Sequence, residues 1–292
     1  MIRFRLLVSS LLLLGSFCSA SDEPIPLWGT AHGKGKVYLL GSIHLLKEDL
    51  SPYREMIVNA FAESECLAVE AYIGSQNMME NAGKMMQAGT LPEGERLETI
   101  LPDQKYDELA ALMKGLGFDI RSYQHYRPWM LALTISSLSM VKQGYNPMFG
   151  VDLFFIRQAE SRNMAIEELE GVDAQIDLFK SLNPEEETAF LFSSILEQKK
   201  QEDTVDQVVT AWKSGDVEAL AAILLKGERE NPELKNFYNK LLKNRNEKMV
   251  DKIEDFIRSE RNCFVIVGAA HLIGENGIVE LLRKKGYEVT LY

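Results

Sequence analysis

The feature that most constrains this chain is a set of short apolar runs separated by helical stretches. Val37-Tyr38-Leu39-Leu40, Cys66-Leu67-Ala68-Val69, residues 164–169 and Cys263-Phe264-Val265-Ile266-Val267 all fit strands. Between the first two, Ser51-Pro52 precedes Met56, Ile57, Ala60 and Phe61, which predicts a helix capped by Ser51 with proline at its first position. Strand, helix, strand is the unit from which parallel sheets are built, because a parallel crossover needs a dozen or more residues. Residues 28–40 read as a hairpin turning at Gly33-Lys34-Gly35, with Gly41 ending its second strand. Residues 273–285 read as a helix and 287–291 as a last strand. The expected class is α/β, with a central mainly parallel sheet, an N-terminal hairpin and large helical insertions.

Residues 75–145 read as a helical cap, broken near Leu91-Pro92 and around 115–118, with Arg127-Pro128-Trp129 opening another helix. The methionines at 78, 79, 85 and 86 suit ordinary packing better than an adaptable groove. Residues 149–160 predict a helix, and 173–259 a second region of charged amphipathic helices with solvated faces. Because the βα units at the two ends bracket this material, residues 21–292 read as one domain.

The start of the chain has a secretory layout: Arg3 and Arg5, an apolar run over 6–14, then small residues up to Ala20. Cleavage after Ala20 is expected, giving a soluble periplasmic or secreted protein with no stable membrane insertion. Acylation of Cys18 is disfavoured by the bulky Phe17 before it. A net charge of −11 over 292 residues excludes nucleic acid as the main partner, since phosphate binding needs clustered Lys and Arg. Cys66 and Cys263 each begin an apolar run. Export permits a disulfide between them if the two strands are neighbours; otherwise they are buried free thiols.

Two of the four histidines share one setting: Leu39-Leu40-Gly41-Ser42-Ile43-His44 and Ile266-Val267-Gly268-Ala269-Ala270-His271. Glycine permits positive φ and close backbone approach, so the chain would turn sharply and bring each imidazole over the strand's carboxyl end, where open α/β sheets bind ligands. His32, in Gly29-Thr30-Ala31-His32, has the spacing but precedes a tight turn and is a decoy. His125 lies in a polar stretch that suits surface or capping duty. Glu70 ends an apolar run, where an unpaired charge is costly unless a cation offsets it. Two histidines and one glutamate are ligand types of catalytic divalent-ion sites. The bland alternative makes the histidines satisfied edge residues and Glu70 the start of a polar loop.

The segments 37–44, 67–70, Arg127-Pro128-Trp129, Gly150-Val151-Asp152 and 265–271, in this order, resemble the TraB/GumN family, which includes PrgY-like proteins and is related to the Tiki metalloproteases. The resemblance covers the chain from about Pro26 onward. It implies a fold like that of erythromycin-esterase and ChaN-type proteins, and an exported divalent-metal-dependent hydrolase acting on peptide amide bonds. His44, Glu70 and His271 would be its metal ligands and catalytic residues, with Mn²⁺ or Co²⁺ favoured and Zn²⁺ an option. Arg127, Asp152 and Glu170 are further pocket candidates, for each of which a salt bridge or helix cap weighs more. Unlike the Tiki proteins, this chain shows no anchor-like segment, which argues against a membrane-tethered role. The partner would be a peptide or small-molecule substrate. The competing readings are a metal-independent esterase-like hydrolase using His44 as base, and a peptide- or haem-binding protein without turnover.

Overall fold

The computed structural model describes residues 24–51, 53–74, 77–200, 204–230 and 235–292. The expected leader at residues 1–20 and Pro52 lie outside them. Six strands form one sheet: β1 (Leu27–His32), β2 (Gly35–Ser42), β3 (Cys66–Val69), β4 (Ala165–Glu168), β5 (Cys263–Gly268) and β6 (Thr290–Leu291), in the order β4-β3-β5-β2-β1-β6. Strands β4, β3, β5 and β2 run parallel, and the hairpin partner β1 is antiparallel to both β2 and β6. The α/β class, the mainly parallel sheet and the N-terminal hairpin are those the sequence predicts. Central β5 is buried from Cys263 to Val267 on alternate faces alike, which accounts for its unbroken apolar run.

Several boundaries move. The first helix is Glu55–Ala62 with Arg54 at its N-cap, so Ser51 caps nothing there; its amide bonds the Asp49 carboxylate instead. Strand β2 continues through Gly41 to Ser42 because Gly41 pairs with Val267. After β5 the chain makes a short helix Ala269–Leu272, and the longer one begins only at Ile278. The final strand shrinks to two residues pairing with Trp28 and Gly29.

Parallel pairing sets Cys66 opposite Cys263 with Cα atoms 4.9 Å apart, and the two form a disulfide. The two helical regions interlock. Helices Asp103–Gly115, Pro128–Lys142 and Pro184–Lys200 share a core of Leu109, Met113, Leu131, Ile135, Leu191 and Ile195. The Trp129 ring stacks on Phe179 at 4.8 Å, joining the first region to the second. Helix Met78–Gly89 lies at the surface with Gly89 its one buried residue, so Met79 is 88% exposed and, of the four methionines, only Met85 packs against a core. Among the described residues, no helix is long and apolar enough to cross a membrane. Trp212 is fully buried, and its indole N–H donates to the Gly41 carbonyl at 2.8 Å, fastening helix Thr204–Lys213 over the end of β2.

Candidate active site

Because β2, β3, β4 and β5 run parallel, their carboxyl ends share one edge of the sheet, and the residues just past each strand are gathered there. His44 lies two residues beyond β2, Glu70 one beyond β3, Glu170 two beyond β4, and His271 within the short helix after β5. The exits of β3 and β4 are tied together: the amides of Glu170 and Gly171 both donate to the Glu70 carbonyl at 2.9 Å.

Glu70 is held on every side. The Gly268 amide donates to its Oε1 at 2.6 Å, and Arg245 Nη2 donates to its Oε2 at 2.7 Å. His271 Nε2 lies 3.8 Å from Oε1. Burial would raise this carboxyl, but His271, Arg245, His44 and the Gly268 amide together outweigh it and hold the group at about 2. At neutral pH the cations in that set are Arg245 and His44, because burial keeps His271 neutral. Arg245 also grips Glu170 through both carboxylate oxygens, with Nε at 3.0 and 2.9 Å and Nη2 at 2.7 Å.

His271 is nearly sealed from solvent, and burial pushes its imidazole down to about 4. Its Nδ1 lies 2.5 Å from Asn246 Oδ1. His44 has the opposite surroundings. Its side chain is 56% exposed and its Nδ1 lies 3.2 Å from Asp152 Oδ2. The Asp152 carboxylate raises it to about 9 against a smaller opposing effect of desolvation. Gly150 makes this contact possible: a Cβ there would sit 2.5 Å from the His44 carbonyl, so only glycine lets helix Val151–Ser161 begin against the β2 exit.

The three predicted side chains thus converge. A Cβ on Gly268 would lie 3.4 Å from both Glu70 Oε1 and His44 Nε2 and 3.7 Å from the His271 ring. Of the two properties expected of these glycines, positive φ is not used, since Gly268 has φ −51° and Gly41 is not among the positive-φ residues. Close approach is what Gly41 supplies, since a Cβ there would meet Ala269 Cα at 3.1 Å. Of the second-tier positions, Asp152 faces His44 and Glu170 joins the Arg245 cluster. Arg127 instead pairs with buried Glu187 in the helical layer. His32 sits at the opposite end of the sheet, across from Gly35, and exposed His125 packs edge-on against Tyr126.

Sequence reasoning missed Arg245 and Asn246, which read as part of a charged, solvated helix. A signal was present. Asn246 stands at helical spacing with Met249, Val250 and Ile253, all on the buried face of helix Asn244–Arg258, so a polar residue occupies an apolar stripe.

The donor set tests whether a divalent cation suits these residues. Each histidine has Nδ1 engaged, by Asp152 or Asn246, and turns Nε2 toward the focus, as metal-ligating histidines do. Two carboxylates, Glu70 and Glu170, share one guanidinium, and a third, Asp152, contacts His44 through Oδ2 while its Oδ1 is buried without a hydrogen-bond partner. Donor types and charge therefore fit a divalent ion. The spacing does not enclose one: among the described residues, no group of three or more His, Cys, Asp or Glu side chains is arranged to hold a metal.

The sequence profile of the TraB/PrgY/gumN family matches residues 26–291. The Escherichia coli protein YbaP is 22% identical over 254 residues, covering 87% of this chain and 90% of YbaP. The metalloprotease TIKI1 of Danio rerio is 21% identical over 304 residues, covering 86% of this chain and 60% of its own length. Human metalloprotease TIKI1 is 23% identical over 251 residues, covering 68% of this chain and 49% of its own length. No solved structure matches the chain significantly.

Proposed function

This chain belongs to the TraB/PrgY/gumN family, and on that premise we propose that it is an exported, divalent-metal-dependent hydrolase that cleaves peptide amide bonds. The observation that carries the proposal is the convergence of His44 Nε2, Glu70 Oε1 and the His271 ring on the space left by the missing side chain of Gly268. The relatives named metalloproteases supply the reaction class. The same premise extends to a fold kinship with erythromycin-esterase and ChaN-type proteins.

His44 and His271 would hold the ion, with Glu70 as third donor; Mn²⁺ or Co²⁺ is proposed first and Zn²⁺ second. Bound there, the ion would polarise a substrate carbonyl and lower the pKa of a water. The chain's own residues do the rest. Asp152 orients His44, and Arg245 with the Gly268 amide keeps Glu70 ionised and aimed at the focus. A carboxyl held at about 2 is a weak base, so ligation suits Glu70 better than general-base work. Gly268 leaves the focus open, and the exposed side of His44 provides the approach for a peptide.

The test is metal content and cleavage of a peptide library, for wild type and His44→Ala, with and without chelator and with each divalent ion restored. The expected result is bound metal and chelator-sensitive cleavage in the wild type, both lost in the variant. Equal, negligible metal in both proteins would overturn the proposal. One observation favours a second reading: the Asp152–His44 contact resembles a carboxylate orienting a histidine that activates water without a metal. Cleavage that survives exhaustive chelation would select it.

A further inference from the structure

We infer that Asn246 is the positioning residue that sets the tautomer of His271, so that the Nε2 lone pair faces the cluster. The consequence for catalysis rests on the hydrolase reading; the tautomer itself does not. Asn246 is 1% exposed and makes two side-chain hydrogen bonds. Its Nδ2 donates to the Asn276 carbonyl at 2.7 Å, and its Oδ1 lies 2.5 Å from His271 Nδ1. A backbone carbonyl only accepts, so the NH₂ end of the amide must face Asn276 and the oxygen must face His271. An amide oxygen also only accepts, so the hydrogen lies on Nδ1. A neutral imidazole carries one N–H, which leaves Nε2 with its lone pair.

That lone pair looks across 3.8 Å at Glu70 Oε1, an acceptor already receiving the Gly268 amide. Two acceptors face each other there, and the gap is filled favourably only by a donor or a cation. The arrangement is imposed from outside the Gly-x-x-His motif. Asn246 lies in the first turn of helix Asn244–Arg258, directly after the π-helical turn Asn239–Lys243, and π turns of this kind recur at functional sites. With Leu at 246, both the Asn276 carbonyl and the His271 Nδ1–H would lose their partner, and the ring would be free to adopt the Nε2–H form that closes the gap with a hydrogen bond to Glu70.

The test is long-range ¹H–¹⁵N correlation on the metal-free protein, with the His271 signals assigned by their loss in His271→Gln. The wild type should show the Nδ1–H tautomer. Asn246→Gln, which keeps a neutral amide with both its donor and its acceptor, should retain it, and Asn246→Leu should convert His271 to Nε2–H. On a cleaved peptide, Asn246→Leu should lower kcat about 10- to 100-fold, the range for outer-shell partners of such histidines, and Asn246→Gln should restore most of it. A wild-type His271 in the Nε2–H form, or an Asn246→Leu protein that keeps Nδ1–H, would overturn the inference. If the leucine variant does not fold, the wild-type and Asn246→Gln spectra decide. Because the spectra need no substrate, a protein with the expected tautomers but no turnover sinks the hydrolase reading alone.

Discussion

His44 and His271 come from matching segments, yet their surroundings push their protonation in opposite directions. The Asp152 carboxylate raises His44 to about 9, whereas burial lowers His271 to about 4, so between those values one ring is a cation and the other is neutral. In the metal-free protein, an NMR titration should show His44 changing near pH 9, and Asp152→Asn should bring it back toward its ordinary value of 6.5. A pKa raised by folding contributes stability that is full below 6.5 and lost as pH rises through about 9. The thermal midpoints of wild type and Asp152→Asn should therefore differ most below 6.5 and converge above 9. The gap will be small, because solvent screens a side chain that is 56% exposed. An unchanged His44 titration in the variant would remove Asp152 from the account.

At the scale of elements, helix Asn244–Arg258 lays Arg245 between the exits of β3 and β4, and its one guanidinium serves both Glu70 and Glu170. Removing one partner of a buried ion pair leaves uncompensated charge and costs about 3–5 kcal/mol. Arg245→Met should show a loss of this order in urea unfolding at neutral pH, and Arg245→Lys a smaller one, since lysine keeps the charge but not the fork. For Glu70 the folded value near 2 lies below its ordinary 4.5, so its contribution is present above 4.5 and fades as pH falls through 2. The penalty of Arg245→Met should narrow over that range. A variant as stable as wild type at pH 7 would show that the cluster is solvated rather than buried.

Over the whole molecule, the sheet is stapled between two central strands that come from distant parts of the chain. The Cys66–Cys263 disulfide spans a separation of 197 residues and joins adjacent central strands at their amino ends, opposite the edge that carries the site. Closing so long a loop restricts the unfolded chain. The double variant Cys66→Ser, Cys263→Ser should lose about 2–5 kcal/mol while its far-UV circular dichroism and the His271 tautomer stay those of the wild type. A variant with a changed His271 spectrum would mean that the disulfide shapes the site as well as the stability. What the sequence alone determined is local: the apolar runs, the hairpin, and the placing of His44, Glu70 and His271 just after strands, all legible because strand periodicity and turn chemistry act over a few residues. Tertiary structure decided the rest. The order of β4, β3 and β5, the pairing of Cys66 with Cys263, the grip of Arg245 on Glu70 across 175 residues and the Gly268 amide on the same carboxylate across 198 depend on which strands lie side by side. So do the opposed protonation states of the two histidines, because a side chain's charge is set by what surrounds it in space, and its neighbours along the chain do not specify that.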